Sequence, residues 1–546
     1  MTGVAFTRQL GSESGVQLNP LRDESELPTL DNADQTFAVA MRATRGRIDK
    51  PFAVNSGNIG KKLGSGESIR LSALNEAWVQ VWEAVNRGAY NAIVQRLITN
   101  AAVIKWAVVT LPDSAPDAPA FSVSAIDPAP PYLLAIKHLE CHNDGIKLAF
   151  HADESRSGGV LTENSKITLR IFDSADILLY EFRGSLDPAA RDDFGNSAFL
   201  PDVVSGITDA VEIEVGATTA IAITSNAYGY DAAGKEKWVK SDLLMCFDEG
   251  GKAYSTQDYH NARDKLQRTQ LGYAYIASGG TQSIGLIAAL AQLSFDTNKQ
   301  FRLDIPGNLT VEEAITFKEQ LNLEAVETAH LIHVYWAPLK SDDPTGVNGK
   351  GYIGTSALNI ALSCLRNAQA NSKGFASKNY PIAGREWPVQ RTGLVQVVTP
   401  GDQELSALAK ARINPVIFET YTGGGRYVFR DSLTCAPVEN VLKKLISVVE
   451  MSTSIDDAVT RYAKDVLQLP MDVCIKRMTD FLQNLFEGAQ GAKWITPSSD
   501  PAMGGSAFRF TVQPNAARPY DTMDYAYWLH YDGTNRQSYV TQTLSR

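Results

Sequence analysis

A glycine-rich stretch has the spacing of a cofactor loop. Residues 349–354 read Gly-Lys-Gly-Tyr-Ile-Gly just before a segment of helical character, and a G-x-G-x-x-G loop at a helix N-terminus can hold a pyrophosphate. About ten loop residues, with Asp342, Asp343 and Pro344 among them, separate this motif from the preceding strand, and no acidic residue ends a second strand about 20 positions later. We therefore interpret it as a loop at a helix N-terminus and keep a nucleotide-dependent enzyme that uses this loop as the alternative.

Histidines and acidic residues are the candidate metal ligands. His330 and His333 would share one face of a helix, but they fall on opposite faces of the strand that we predict over residues 330–337. The segment 187–204 carries carboxylates that could bind calcium, but their spacing differs from that of an EF-hand, so we interpret them as solvated turn residues: Asp187, Asp192, Asp193 and Asp202.

The sequence contains no G-x-S-x-G, H-E-x-x-H or Walker A motif. Its five cysteines are odd in number and form no C-x-x-C pair, which favours buried thiols in a reducing cytoplasm over disulfides or a zinc site: Cys141, Cys246, Cys364, Cys435 and Cys474. We predict no catalytic residue, no metal site and no cofactor.

Composition indicates a soluble, globular chain. Its 546 residues suggest two to four domains, with 44% hydrophobic and 21% charged residues. The net charge of −10 argues against nonspecific nucleic-acid binding by the whole chain. The longest apolar run, 284–293, is shorter than the roughly 20 residues of a membrane span. The sequence lacks the basic start and apolar core of a signal peptide. From these three features we expect no nucleic acid partner, no membrane insertion and no export by the usual route.

Hydrophobic periodicity divides the chain into helical and β-prone parts. Residues 110–300 read as β-rich after a proline-rich entry, and Thr310 to Glu313 form a capping box that opens a helix. The remaining predicted strands are 37–42, 50–56, 92–98 and 508–514, and the predicted helices are 71–85, 355–366, 438–449, 455–467 and 473–486.

A β-hairpin is predicted over residues 413–430. Ile413–Tyr421 is β-prone, three glycines at 423–425 supply positive φ for the turn, and 427–430 return as a second strand. Pro415 lacks a backbone donor, so it suits a strand edge or start.

This hairpin resembles a segment of the contractile tail sheath proteins of bacteriophages. Residues 413–416 (Ile-Asn-Pro-Val) and 425–434 are similar to the family's "INPI…GRGxxxWGxRTL", with Phe429 at the tryptophan position. The N-terminal order of turn, strand, helix and strand also resembles the family. The family's glycines and proline at the turns and at the helix end correspond to Gly46, Pro51, Gly64 and Gly88. Residues 187–204 resemble a further segment of the family, "DPxAxDxxGxSxYxxDVV". The order of strand, loop and helix over residues 334–366 is also similar to the family.

The resemblance, over roughly 36–100 and 301–525, implies an α/β (α+β) multidomain fold. Its discontinuous core would be built from N- and C-terminal parts, with an inserted β-rich outer domain and extended terminal arms. The corresponding domains are 1–28 (N-terminal arm), 29–110 (core), 111–300 (insertion), 301–525 (core) and 526–546 (C-terminal arm).

The function that the resemblance implies is structural. Hexameric rings would stack helically around a tail tube and contract to drive the tube through the host envelope, without nucleotide hydrolysis. Partners would be other copies of the chain, the tail tube protein, and baseplate and tail terminator proteins, in a virion tail assembled in the host cytoplasm. The sheath of a type VI secretion system or a tailocin, and a non-contractile baseplate or capsid-decorating protein, remain alternatives.

Two sets of residues are predicted to make assembly contacts. The arms would add strands to neighbouring subunits, although a frayed N-terminus is the alternative reading of residues 1–28; the arm residues are Val4, Phe6, Tyr539, Val540, Thr541 and Leu544. Basic residues on the late helices would face an acidic tube or, alternatively, only solvent; they are Lys443, Lys444, Lys476 and Arg477.

Overall fold

We describe the protein from a computed structural model. It covers residues 33–110, 119–130, 132–152, 160–161, 166–216, 223–224, 233–326, 328–438, 441–539 and 541–542. None of the helices in these ranges combines the length and apolar character that a bilayer crossing requires.

The helices lie mostly in the second half of the chain. They are α1 (Ile59–Leu63), α2 (Glu76–Arg87), α3 (Leu200–Ile207), α4 (Thr256–Arg268), α5 (Ile284–Thr297), α6 (Val311–Gln320), α7 (Ser356–Asn367), α8 (Asp402–Lys410), α9 (Ile446–Asp465) and α10 (Met471–Gly491).

The strands occur in every part of the described chain. They are β1 (Thr36–Met41), β2 (Phe52–Val54), β3 (Asn91–Arg96), β4 (Val103–Ile104), β5 (Trp106–Thr110), β6 (Ala120–Ser124), β7 (Leu134–His138), β8 (Ile146–Ala152), β9 (Val160–Leu161), β10 (Lys166–Asp173), β11 (Leu178–Ser185), β12 (Val211–Val215), β13 (Ile223–Thr224), β14 (Val239–Lys240), β15 (Phe247–Asp248), β16 (Tyr275–Ala277), β17 (Gln300–Ile305), β18 (Ile332–Trp336), β19 (Leu339–Asp342), β20 (Lys350–Tyr352), β21 (Val395–Gln396), β22 (Ile413–Tyr421), β23 (Gly424–Phe429), β24 (Phe508–Pro514) and β25 (Met523–Leu529).

The core is one eight-stranded sheet with the order β2-β3-β1-β16-β17-β18-β22-β23. All neighbours from β3 to β22 are parallel, and the edge strands β2 and β23 pair antiparallel. Strand β1 is buried along its whole length, as expected for a parallel strand covered on both faces. Helices α2 and α7 cover one face, and α4, α5 and α6 cover the other. The predicted α/β multidomain fold with a discontinuous core is confirmed.

The inserted part is a β-sandwich. The sheets β12-β7-β5-β6 and β11-β10-β8-β14 share one hydrophobic cluster, to which α3 contributes Leu200 and Val204. Hydrophobic and polar residues alternate along these strands because each strand buries one face in this cluster. Strand β5 already belongs to the sandwich, and the core sheet has resumed by β16. The prediction of a return near residue 301 is therefore too late, and we propose an insertion from about 105 to about 250.

The C-terminal part adds a helical hairpin and a β-hairpin. Tyr462 of α9 stacks on Phe481 of α10 with ring centroids 4.0 Å apart, and Cys474 lies 2.7 Å from the carbonyl oxygen of Val466, so the two helices run antiparallel. The strands β24 and β25 pair antiparallel and pack on Phe486.

One helix replaces two that the sequence predicted. Helix α9 runs unbroken from Ile446 to Asp465, across the polar residues Ser452, Thr453 and Ser454. Their hydroxyls donate to carbonyl oxygens of the preceding turn at 3.1, 2.8 and 2.7 Å. Because these bonds satisfy the hydroxyls within the helix, the polar stretch does not end it.

A buried ion cluster fixes α9 to the core sheet. Glu450 accepts a hydrogen bond from Arg302 of β17 at 2.8 Å, and its other carboxylate oxygen lies 2.9 Å from Arg366 of α7. Burial raises the pKa of Glu450, but the two guanidinium groups outweigh it and hold that pKa below its ordinary value. Sheet, α7 and α9 are thus joined by charges that have no access to solvent.

Candidate assembly surfaces

The C-terminal tail leaves the body of the protein after two anchoring contacts. Arg536 pairs with Asp431 through both carboxylate oxygens, with Nε 2.7 Å from Oδ1. The hydroxyls of Thr534 and Ser447 lie 3.2 Å apart. Beyond these contacts Tyr539 is 91% exposed. The tail therefore has a bound root, residues 531–536, and an exposed part that begins after it.

Of the predicted arm residues, only two can be located. Tyr539 and Thr541 are exposed and lie outside assigned strands, whereas Val4, Phe6, Val540 and Leu544 lie outside the described residues. Their role in pairing with other subunits stays a prediction.

The first residues of the predicted C-terminal arm, 526–529, pair within their own chain and not with a neighbour. Strand β25 pairs along its whole length with β24, from Met523 opposite Pro514 to Leu529 opposite Phe508. The inner face of the pair packs on α10, while on the outer face Arg509 lies over the ring of Trp528 at 4.2 Å. Within the described chain neither strand has a second partner, so each presents an unpaired edge.

The predicted basic residues form two separate pairs. Lys443 and Lys444 lie in the 3₁₀ turn Leu442–Lys444 before α9, not on a helix of the late bundle as predicted, and Lys476 and Arg477 lie on exposed positions of α10. The second pair is near Tyr462, at the other end of α9. At 1.5 Å per residue the two pairs are roughly 25 Å apart along the helix.

The hairpin at the centre of the family resemblance forms as predicted. Strands β22 and β23 pair antiparallel from Val416 opposite Phe429 to Tyr421 opposite Gly424. Gly423 and Gly424 have φ of +97° and +122°, whereas Gly425 does not adopt positive φ, contrary to the expectation for all three glycines. Phe429, at the family's tryptophan position, is fully buried against Tyr335.

The backbone N–H groups at the end of the G-x-G-x-x-G stretch bind the protein's own acidic side chains. The N–H groups of Thr355 and Ser356, at the start of α7, both donate to Asp304 at 2.8 Å. The N–H of Gly354 donates to Glu76 at 2.6 Å. These are the donors that a phosphate would need. The observed geometry therefore agrees with a helix N-terminus capped from within and argues against a nucleotide site.

The predicted ligand candidates are not brought together as metal sites. His330 lies in the 3₁₀ turn Ala329–Leu331, so the prediction that it shares a strand with His333 is wrong; the strand begins only at Ile332. Asp192 accepts from N–H groups of its own loop, and Asp202 accepts from Ser197 at 2.6 Å, as expected of turn residues.

All five cysteines are buried free thiols, as predicted. Burial raises the pKa of the thiols of Cys141, Cys246, Cys364 and Cys435 to about 12. Because the thiolate is the reactive form, these side chains are chemically inert at neutral pH.

One cluster was missed. His138, Glu140 and His142 come together as the single group of three or more metal-ligand side chains among the described residues. Their spacing in the sequence, H-x-E-x-H over residues 138–142, is the signal that could have identified them.

Comparison with known proteins gives similarities of structure alone. No family model matches the chain, and no curated protein matches it. The crystal structure of the sheath tail protein from Desulfitobacterium hafniense is similar, at 12% identity and a TM-score of 0.47, over 95% of this chain and 100% of that one.

Two further structures match about half of the chain. A chain of the anti-feeding prophage baseplate covers 55% of this chain and 77% of its own length, at 14% identity and a TM-score of 0.41. A chain of the PVC sheath complex, an extracellular contractile injection system in the contracted state, also matches. It covers 52% of this chain and 74% of its own length, at 14% identity and a TM-score of 0.40. A shared fold does not by itself carry a function.

Proposed function

We propose that this chain is the structural subunit of a contractile bacteriophage tail sheath. Subunits would form hexameric rings that stack around a tail tube and contract to drive the tube through the host envelope, with baseplate and tail terminator proteins at the two ends. The observation that carries the proposal is the combination of a tail anchored at its root, residues 531–536, with a β-hairpin whose strands have no second partner among the described residues.

The tail root sets where a connecting arm can start. The Arg536–Asp431 pair and the Thr534–Ser447 contact hold residues 531–536 on the subunit's own surface. Ten residues follow, 537–546, and ten extended residues span about 33 Å. That reach is enough to cross from one subunit to the hairpin of another.

The hairpin β24–β25 supplies the surface to which an arm can add. Unpaired backbone donors and acceptors along a strand edge bind a further strand by main-chain hydrogen bonds. We propose that residues 537–546 of one copy, and residues 1–28 of another, extend this hairpin into a larger sheet. Such a sheet would keep subunits connected while their bodies move.

The body must move as a rigid unit for such a lattice to transmit force. The buried cluster of Glu450, Arg302 and Arg366 ties three elements of the core together. We propose that contraction reorients whole cores and leaves each core unchanged, with energy from larger core–core contacts in the contracted lattice. No nucleotide is needed in this scheme.

The two basic pairs are candidates for contact with an acidic tube. Because they lie roughly 25 Å apart along α9, we propose that they engage the tube as two separate points and that Lys476 and Arg477, both exposed on α10, form the stronger one.

Electron microscopy of the purified full-length chain tests the proposal. Long striated tubes with hexameric cross-section are expected, and a monodisperse particle at high protein concentration would contradict it. The genes beside this one would separate a phage sheath from that of a type VI secretion system or a tailocin.

A further inference from the structure

Two histidines and a glutamate are buried together at the end of β7. His138 is the last residue of the strand, and Glu140 and His142 lie in the turn that follows. Their exposed fractions are 2%, 7% and 3%. Their potential ligand atoms all lie within 4.8 Å of one another, with His138 Nε2 3.9 Å from Glu140 Oε2.

The imidazole rings lack hydrogen-bond partners. Neither Nδ1 nor Nε2 of His138 or His142 has one within the described chain. The two rings meet edge to face, with centroids 4.9 Å apart, so they do not bond each other. Buried polar atoms almost always have a partner, and the four ring nitrogens beside one carboxylate are donor atoms that a cation could use.

The charged side chains around the cluster leave the two rings and one oxygen of Glu140 uncovered. Asp144 is the carboxylate next to His142, with Oδ1 4.0 Å from Nδ1. Arg45 is paired with Asp144 and Asp173, and Arg47 with Asp49 and Asp209. The cation in direct contact with the cluster is Lys62, which binds Glu140 Oε1 at 2.6 Å and leaves Oε2 facing His138.

We propose that His138, Glu140 and His142 bind a divalent transition-metal ion, Zn²⁺ being the best fit to two imidazoles and one carboxylate. Zinc bonds of about 2.0–2.2 Å require small rotations of the rings that bring the ligand atoms closer together. Water would complete the coordination. Tyr180, which donates to Glu140 Oε2 at 3.0 Å, orients the carboxylate.

The position of the cluster indicates a structural role. The backbone of the ligand turn is held by the core: Gly46 N–H donates to the carbonyl oxygen of Glu140 at 2.7 Å, and Arg96 donates to that of Cys141 at 2.6 Å. The metal would therefore fix the shape of the turn that the core holds. Lys62 and Tyr180, the two side chains bonded to Glu140, also line a cleft of about 990 Å³.

Metal binding by the full-length protein tests this inference. The purified chain is stripped with a chelator and then titrated with Zn²⁺ by calorimetry, and with Co²⁺ by absorption spectroscopy. One Zn²⁺ per chain, a rise in Tm with Zn²⁺ but not with Mg²⁺, and a visible Co²⁺ band of low-symmetry coordination are expected. Either His138→Gln or His142→Gln should weaken Zn²⁺ binding by at least the roughly 10–100-fold that loss of a supporting residue costs.

His151→Gln is the matched control. His151 is a buried histidine of the same sandwich, and its Nδ1 lies 2.9 Å from the carbonyl oxygen of Lys237, outside the cluster. This variant should bind Zn²⁺ like the wild type. Absence of stoichiometric Zn²⁺ binding to the wild type, or equal affinity in the two cluster variants and the wild type, would overturn the inference. If a cluster variant does not fold, the Co²⁺ spectrum of the wild type decides alone, and a spectrum of hydrated Co²⁺ overturns it.

Discussion

Arg536 of the C-terminal tail and Asp431 at the end of the β22–β23 hairpin form a two-point ion pair across 105 residues of sequence. Both side chains are mostly buried, with 21% and 17% exposed. The pair is the last contact with the body before Tyr539, which is 91% exposed.

Breaking this pair should release the tail without unfolding the protein. Asp431→Asn and Arg536→Ala each remove the charge interaction, and we expect the free energy of unfolding to fall by about 1 kcal/mol or less. Limited proteolysis followed by mass spectrometry should show faster cleavage between residues 530 and 540. Arg518→Ala, which breaks an exposed pair with Asp521 in the β24–β25 turn, is the control and should leave that cleavage rate unchanged.

The buried cluster around Glu450 should dominate the stability of the core. Glu450→Gln keeps the side-chain shape but leaves the guanidinium groups of Arg302 and Arg366 buried without a counter-charge, so we expect a loss of about 3–5 kcal/mol. Urea unfolding measures it. Glu487→Gln on the exposed face of α10 is the control, with an expected change within about 0.5 kcal/mol. Equal midpoints for both variants would show that the cluster is not an ion cluster in solution.

Glu76 should make stability depend on pH. Burial first, and then the charge of Asp304, raise the pKa of Glu76 to about 8 from an ordinary 4.5. Between these values the unfolded chain releases a proton that the folded chain keeps, so the free energy of unfolding falls as pH rises from about 5 to 8 and then levels off.

Glu76→Gln should remove that dependence, because the amide oxygen can still accept from Gly354. The variant's advantage over the wild type should therefore be larger at pH 8 than at pH 5.5 in urea unfolding. Glu319→Gln, exposed on α6, should follow the wild type at both pH values. A wild-type curve that rises between pH 5.5 and 8 relative to Glu76→Gln would contradict the assignment.

Local signals in the sequence were reliable where a few neighbouring residues decide the structure. The capping box at Thr310 forms as predicted, with Glu313 accepting from the Thr310 N–H at 2.8 Å. The glycines after Tyr421 turn the chain into the β22–β23 hairpin, and Gly88 ends α2. In each case the interactions that decide the structure join residues within about five positions of one another.

Long-range pairing was harder to predict. Strand β16, which begins at Tyr275, joins the core sheet, although the sequence around it was assigned to the insertion. A strand of three residues is too short to show a hydrophobic period. Residues 526–529 of the predicted arm belong to β25, because they pair with β24 across a turn of polar residues. The His138 cluster depends on a turn at Cys141, whose φ is +46°, a conformation that a cysteine gives no reason to expect.

The assembly hypothesis rests on residues 537–546, and their deletion tests it most directly. The truncated chain keeps Arg536 and should fold, with an unchanged circular dichroism spectrum and a Tm close to that of the full-length protein. Negative-stain microscopy of both proteins at equal concentration should show long striated tubes from the full-length chain and none from the truncated one. Tubes of normal length from the truncated chain would contradict the account.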